Sequence, residues 1–231
     1  NVKVNVTEYV NIPFNQPVFV CPLADVPVSI RSLSLDKCMS IQLGYVDVQD
    51  KLQLIAFSVD IPGALVDSDT PQGLYFFGKN ASHVYLNGTL LGQNGQPAPD
   101  TSEVPGKMDS VFYIPNQLLR VGKNELTIVV SAQHNYLHLG NPVHFMAIGP
   151  YQSPLGVIQT FGEVGLILIG AFTLGAVYFG AFWFYHRERR AFGLFTLMCV
   201  VAALQLGAEI YRGLVEYSYP VHDIRLILIT A

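Results

Sequence analysis

The stretch Val164–Tyr185, VGLILIGAFTLGAVYFGAFWFY, constrains this chain most: twenty-two consecutive residues carry no charge and no proline. A helix rising about 1.5 Å per residue would make this segment roughly 33 Å long. The hydrocarbon core of a bilayer is about 30 Å thick, so the segment predicts a transmembrane helix. The competing reading is a buried helix of a soluble protein, which would normally keep a polar face. The run ends in Phe182, Trp183, Phe184 and Tyr185, an interfacial aromatic belt, and then in His186-Arg187-Glu188-Arg189-Arg190. Short loops rich in arginine stay on the cytoplasmic side. Arg187, Arg189 and Arg190 therefore set the expected orientation. The chain enters this helix from outside the cytoplasm, and everything before residue 155 is an exported domain.

A second apolar run, Ala191–Ala208, follows after a turn of a few residues and is interrupted by Gln205. So short a turn makes the two spans antiparallel neighbours. The expected spans are 156–185 and 191–212, then a short outer loop, Gly213–Asp223, and a third span starting at 224. Its apolar residues, Leu226–Ile229, suggest the front of a longer protein. The other end opens NVKVNVTEYVNIPF, polar and strand-like, so an export signal is expected to have been removed ahead of Asn1. The expected domains are a periplasmic domain over 1–150, a linker over 151–155 with Pro154 as helix start signal, and membrane helices over 156–231.

Composition divides the same way. Hydrophobic residues make up 51% of the chain and charged residues 13%, with mean hydropathy +0.36. Residues 1–155 hold eight Lys/Arg against twelve Asp/Glu, and residues 156–231 hold five of each. The aqueous part is thus acidic, which excludes the basic surface that nucleic-acid binding requires. Of the three cysteines, Cys199 lies in the second apolar run. Cys21 and Cys38 fall in the part expected outside the cytoplasm, where an oxidising compartment favours a bridge over two separate buried thiols.

Residues 1–150 lack helical periodicity. Short runs rich in Val, Ile, Tyr and Phe alternate with Gly, Pro, Asn and Asp, which is an all-β pattern. Expected strands are Pro17–Val20, Val28–Leu33, Met39–Leu43, Leu52–Val59, Gly73–Phe77, His83–Leu86, Thr89–Leu91, Ser110–Ile114, Glu125–Ser131 and Pro142–Ile148. Asn87-Gly88, between two apolar runs, supplies the positive φ angles of a type I′ hairpin. Gly92–Lys107, GQNGQPAPDTSEVPGK, is the longest irregular loop, and loops of that length are functional or mobile. Such strands fit two packed antiparallel sheets.

The order of these signals resembles a known arrangement. VYLNGTLLGQNG (Val84–Gly95), a polar loop, and VFYIPNQLLRVGKNELTIVV (Val111–Val130) are similar to the galactose-binding-like jelly roll of sugar-binding accessory domains of glycoside hydrolases. A jelly roll followed at once by membrane helices resembles bacterial seven-transmembrane receptors with diverse intracellular signalling modules. That resemblance implies an all-β sandwich in the periplasm and an all-α transmembrane bundle that relays to an intracellular output. The helices and Arg cluster themselves imply a multi-pass protein of the inner membrane.

The chemistry-bearing residues are sparse. His134, His138 and His144 in HNYLHLGNPVH could serve a metal, but the segment reads as a polar surface loop. Asp67-Ser68-Asp69-Thr70 lacks the spacing of a calcium loop. No nucleophile elbow, phosphate loop or zinc-protease motif is present, so no catalysis and no cofactor is expected. Glu163, Glu209 and Arg212 are expected at the outer membrane edge. A Glu209–Arg212 pair on one helix face or a Glu163–Arg212 contact would couple the domain to the bundle, whereas solvated interfacial charges are the plain alternative. The expected function is a non-catalytic sensor that binds a ligand or partner in the periplasm. The alternatives are an accessory subunit of a larger membrane complex and a membrane-tethered carbohydrate-binding module. Expected partners are the lipid bilayer, membrane proteins or a second copy, and a carbohydrate or small periplasmic ligand.

Overall fold

The computed structural model of the chain describes residues 9–27, 38–138, 143–186 and 190–230, with the backbone alone for 154–163. The chain divides into two compact units, Asn1–Pro154 with Tyr217–Asp223, and Leu155–Glu216 with Ile224–Ala231.

The first unit is a sandwich of two antiparallel sheets. Its strands are β1 (Val10–Asn11), β2 (Pro17–Pro22), β3 (Met39–Gln42), β4 (Leu52–Ile61), β5 (Gln72–Gly78), β6 (Ala81–Leu86), β7 (Thr89–Asn94), β8 (Asp109–Ile114), β9 (Gly122–Ser131) and β10 (Val143–Pro150), with a short helix α1 (Gly63–Val66) between β4 and β5. One sheet has the order β1-β10-β5-β8 and the other β3-β2-β4-β9-β6-β7. The core follows from period-two alternation. Val84 and Leu86 of β6, Leu126, Ile128 and Val130 of β9, and Leu74 and Phe76 of β5 all pack inward. The outer face of the larger sheet carries a smaller cluster of Cys21, Leu52, Leu54, Ala56 and Val129.

The hairpin β6–β7 turns at Asn87 (φ 51°) and Gly88 (φ 77°), the two positive angles of a type I′ turn. Asn87 also ties the hairpin to its neighbour. Its amide donates to Leu118 O at 2.8 Å and Asn124 Oδ1 at 2.9 Å, and its carbonyl oxygen accepts from Glu125 N–H at 2.9 Å. The Asn-Gly and Gly-Lys-Asn punctuation is thus one hydrogen-bonded assembly. Cys21 and Cys38 form a disulfide with Cα atoms 4.2 Å apart.

Strand positions agree with the sequence pattern, with longer ends: β4 runs to Ile61 and β9 begins at Gly122. β1 is additional, and the expected strand Val28–Leu33 lies outside the described residues. The irregular loop expected at 92–107 is shorter and more tightly held than its sequence suggests. β7 extends to Asn94, Gln96 bridges Val104, and Glu103 is buried.

The second unit is helical: α2 (Pro154–Tyr185), α3 (Arg190–Leu214) and α4 (Tyr219–Thr230), the last beginning in the first unit. Pro154 opens α2 at the first helical position, where its missing N–H costs nothing. Two segments, Val164–Tyr185 and Arg190–Leu214, are long and apolar enough to cross a membrane. They lie antiparallel through small residues. A Cβ on Gly165 would meet Ile210 at 2.4 Å, on Gly175 Cys199 at 3.1 Å, and on Gly193 Trp183 at 3.0 Å. α4 starts at Tyr219, earlier than the sequence pattern suggested, because Tyr219–Asp223 has partners in the sandwich unit.

Candidate functional site

The segment Tyr217–Asp223 lies between the bulk of α3 and α4 in the chain, where the sequence reads as a solvated loop. In the structure it completes the sandwich. Tyr219 and Asp223 are fully buried, and Tyr217 and His222 nearly so. The backbone is paired as in an added strand: Ser218 bridges Lys107, Met108 N–H donates to Tyr217 O at 3.0 Å, and Tyr219 N–H donates to Gly106 O at 2.9 Å. Gly106 itself lies tight against the sandwich, since a Cβ there would fall 2.4 Å from Asn80 O and 2.6 Å from the Asn94 amide. Asn94 holds the same turn from behind, accepting from Lys107 N–H at 2.6 Å and donating to Lys107 O at 2.9 Å.

Two buried charges anchor the segment. Lys79, at the β5–β6 corner, is 2% exposed and donates to Asp223 Oδ1 at 2.8 Å and to Leu137 O at 2.9 Å. The other carboxylate oxygen of Asp223 accepts from Tyr136 N–H at 2.9 Å and Leu137 N–H at 3.0 Å. Asp223 is thus satisfied by one cation and two amides, the condition under which a buried carboxylate is tolerated. Glu103 is the second anchor. It accepts from the hydroxyls of Tyr219 and Ser131 and from Gln133 N–H. His134 N–H donates to the Tyr219 oxygen at 2.8 Å. Burial, then the adjacent Glu103 carboxylate, push the Tyr219 phenol well above its ordinary value, so it remains a donor at any physiological pH. Tyr217 and His222 close the segment on itself through a 3.0 Å contact between the hydroxyl and Nδ1.

The three histidines weighed as metal ligands have separate surroundings. His134 Nε2 contacts Glu103 O at 3.0 Å, His138 pairs with Asp50 at 2.9 Å on the surface, and the His144 ring lies 5.9 Å from that of His222. They do not converge, and among the described residues no group of three His, Cys, Asp or Glu could hold a metal ion.

Of the charged residues expected at the membrane edge, Glu209 has a described partner on α4. Glu209 pairs with Arg225 at 3.1 Å, and Arg225 also donates to Ala208 O at 2.6 Å and Glu209 O at 3.1 Å. This cross-helix contact lies within the helical unit. The Glu163 side chain, Arg187 and Arg189 lie outside the described residues, and Arg190 is exposed at the start of α3. Sequence reasoning missed Lys79, Glu103, Tyr219 and Asp223. The one available signal was two tyrosines and an aspartate within seven residues of a supposed solvated loop.

No family model and no curated protein sequence matches the chain. Solved structures similar to it include a β-glucuronidase of Bifidobacterium dentium, at 19% identity and TM-score 0.41, over 54% of this chain and 20% of that one. A β-glucuronidase of an uncultured Clostridium aligns at 12% identity and TM-score 0.44, over 64% of this chain and 30% of that one. A β-D-mannosidase of Dictyoglomus thermophilum aligns at 12% identity and TM-score 0.42, over 63% and 23%. The chain therefore spans between a fifth and a third of the length of these enzymes, and the match is to the sandwich alone. The fold class stands on the sheets themselves: an all-β sandwich of two antiparallel sheets followed by helices, two of them able to span a membrane.

Proposed function

We propose that this chain is the sensory front of a multi-pass bacterial inner-membrane receptor. Its non-catalytic sandwich binds a ligand or partner in the periplasm and biases a transmembrane bundle of the kind found in seven-transmembrane receptors with intracellular signalling modules. One observation carries this reading. The segment that precedes the apolar part of α4 is fixed inside the sandwich by the Lys79–Asp223 and Glu103–Tyr219 contacts. A domain that merely docks on a neighbour has no need of such a link. A domain that must transmit a change does, because rearrangement of the sandwich then acts directly on the start of α4. The disulfide Cys21–Cys38 agrees with an oxidising compartment.

The test is a nitroxide on α4 at Leu228, which is 63% exposed, in the full chain embedded in lipid nanodiscs. Asp223→Asn keeps the volume and removes the charge. The receptor reading predicts a changed nitroxide mobility while near-ultraviolet circular dichroism shows the sandwich still folded. An unchanged spectrum means that the helices are indifferent to the sandwich, and the accessory-subunit reading replaces this one.

A further inference from the structure

The edges of the two sheets differ in how they are protected. An edge strand offers a row of unpaired N–H and C=O groups to any other strand, and proteins blunt it with charge, proline, a bulge or shortness. In the smaller sheet, β1 is two residues long and β8 opens with the charge of Asp109. In the larger sheet, β7 pairs with β6 across a register shift between Val84 and Tyr85. The opposite edge is β3, Met-Ser-Ile-Gln, which among the described strands pairs with β2 alone. Its register runs without a shift from Pro17↔Gln42 to Val20↔Met39, and β3 itself holds no charge, proline or bulge. Residues 12–22 and 39–46 hold no charged residue at all, although residues 1–155 carry eight Lys/Arg and twelve Asp/Glu.

This uncharged edge is also apolar and open. Val18 and Val20 of β2 point into the core, so Phe19 points outward, opposite Ser40. Phe19 is 49% exposed and Met39, at the rim, 63%. The 3-10 turn Leu43–Tyr45 continues β3, and its Gly44 N–H donates to Phe14 O at 2.8 Å. Tyr45 and Phe14 therefore stand side by side, 77% and 49% exposed. At roughly 200 Å² for a side chain of this size, the four leave about 450–500 Å² of apolar surface per copy. Two copies bring about 900–1,000 Å², which with the strand backbones reaches the roughly 1,000 Å² of a specific interface. A patch of this size marks an interaction site, and the backbone groups of β3 fix what covers it: an extended, uncharged strand. β3 is itself such a strand, and a two-fold repeat of one patch is the commonest way for a chain to cover it.

We propose that β3 is the edge at which two copies of this chain pair, strand against antiparallel strand about a two-fold axis, so that their larger sheets join into one. The pairing rests on the edge alone and not on the sensory reading. A two-fold axis normal to the sheet keeps both outer faces on one side, so an outward residue must oppose an outward one. Ser40 then meets its own counterpart or that of Gln42. The test places a nitroxide on Ser58→Cys, at an exposed position of β4, in the full chain with Cys199→Ala. The protein is reconstituted in liposomes and read by pulsed dipolar spectroscopy. Ser40, Phe19 and Ala56 are aligned across β3, β2 and β4. About five strand spacings of about 4.8 Å separate the two β4 strands, so the nitroxides are expected at about 25–30 Å. Ser40→Lys sets like charges against each other at the paired edge and should abolish that distance, and Gln42→Lys should do the same. Both side chains are exposed, so near-ultraviolet circular dichroism should be unchanged in either variant. Two results overturn the proposal: no coupling in this range at any protein-to-lipid ratio, or a coupling indifferent to both lysines, which would place the contact elsewhere. An edge reserved for the strand of a different protein leaves the purified chain monomeric and gives the first of these. Neither result bears on the Leu228 experiment, which reads Asp223→Asn against the native chain.

Discussion

Lys79 holds an ammonium group almost wholly out of water, and its fate depends on Asp223. Replacing it by Met leaves a buried carboxylate without its cation, and breaking such a pair costs about 3–5 kcal/mol. Urea unfolding of Lys79→Met is expected to show a loss of that order. Asp223→Leu added to it should recover only part, since the Tyr136 and Leu137 amides then lose their acceptor. Tyr219→Phe removes a charge-assisted hydrogen bond from Glu103, which keeps Ser131 and Gln133, and also the acceptor of His134 N–H, so its cost should be at least about 1.5–3 kcal/mol. His83 gives a pH dependence. Burial holds its imidazole below the ordinary value, and its Nε2 is buried without a hydrogen-bond partner. As pH falls through about 6.5, the unfolded chain takes up this proton before the folded one does, so stability present at neutral pH declines. Unfolding midpoints at about pH 7 and about pH 5 should differ less in His83→Gln than in the native chain. None of these roles was legible from composition. Each depends on partners brought together by tertiary structure, as with Lys79 and Asp223, 144 positions apart.

Among the elements, strands and spans were the more legible because their causes are local. Alternating Val, Leu and Ile in β4 and β9 and the Asn87-Gly88 turn encode pairing directly, and an uncharged run of bilayer length encodes α2. The beginning of α4 was not legible: the residues Tyr217–Asp223 are polar enough to read as a loop, and their partners come from the β5–β6 corner, the loop after β9 and the 92–107 segment. The contact of Glu209 with Arg225 was not legible for a similar reason: Arg225 of α4, 16 positions on, reaches both the carboxylate and two α3 carbonyls. The α2–α3 packing offers a check. Gly175→Cys would put its Cβ 3.1 Å from Cys199 Sγ, so mild oxidation should consume both thiols within one chain, by mass spectrometry. Leu174→Cys, on an exposed face, should leave Cys199 free. In the sandwich, replacing Cys21 and Cys38 together by serine is expected to cost about 3 kcal/mol, measured by chemical unfolding.

In the whole molecule, the segment Tyr217–Asp223 belongs by sequence to the helices and by packing to the sandwich, and two of the helices are long and apolar enough to cross a membrane. The sequence expectation for orientation rests on Arg187, Arg189 and Arg190. Protease added to intact spheroplasts should cut the N-terminal half and spare the arginine turn, and the reverse pattern would invert the assignment. The central claim, that Tyr217–Asp223 is built into the sandwich, is tested most directly by hydrogen exchange on the full chain in nanodiscs. Peptides covering Tyr217–Asp223 are predicted to exchange as slowly as those of β9, and to speed up in Asp223→Asn. Exchange as fast as the exposed turn at Asp100–Ser102, with no response to that substitution, would contradict it.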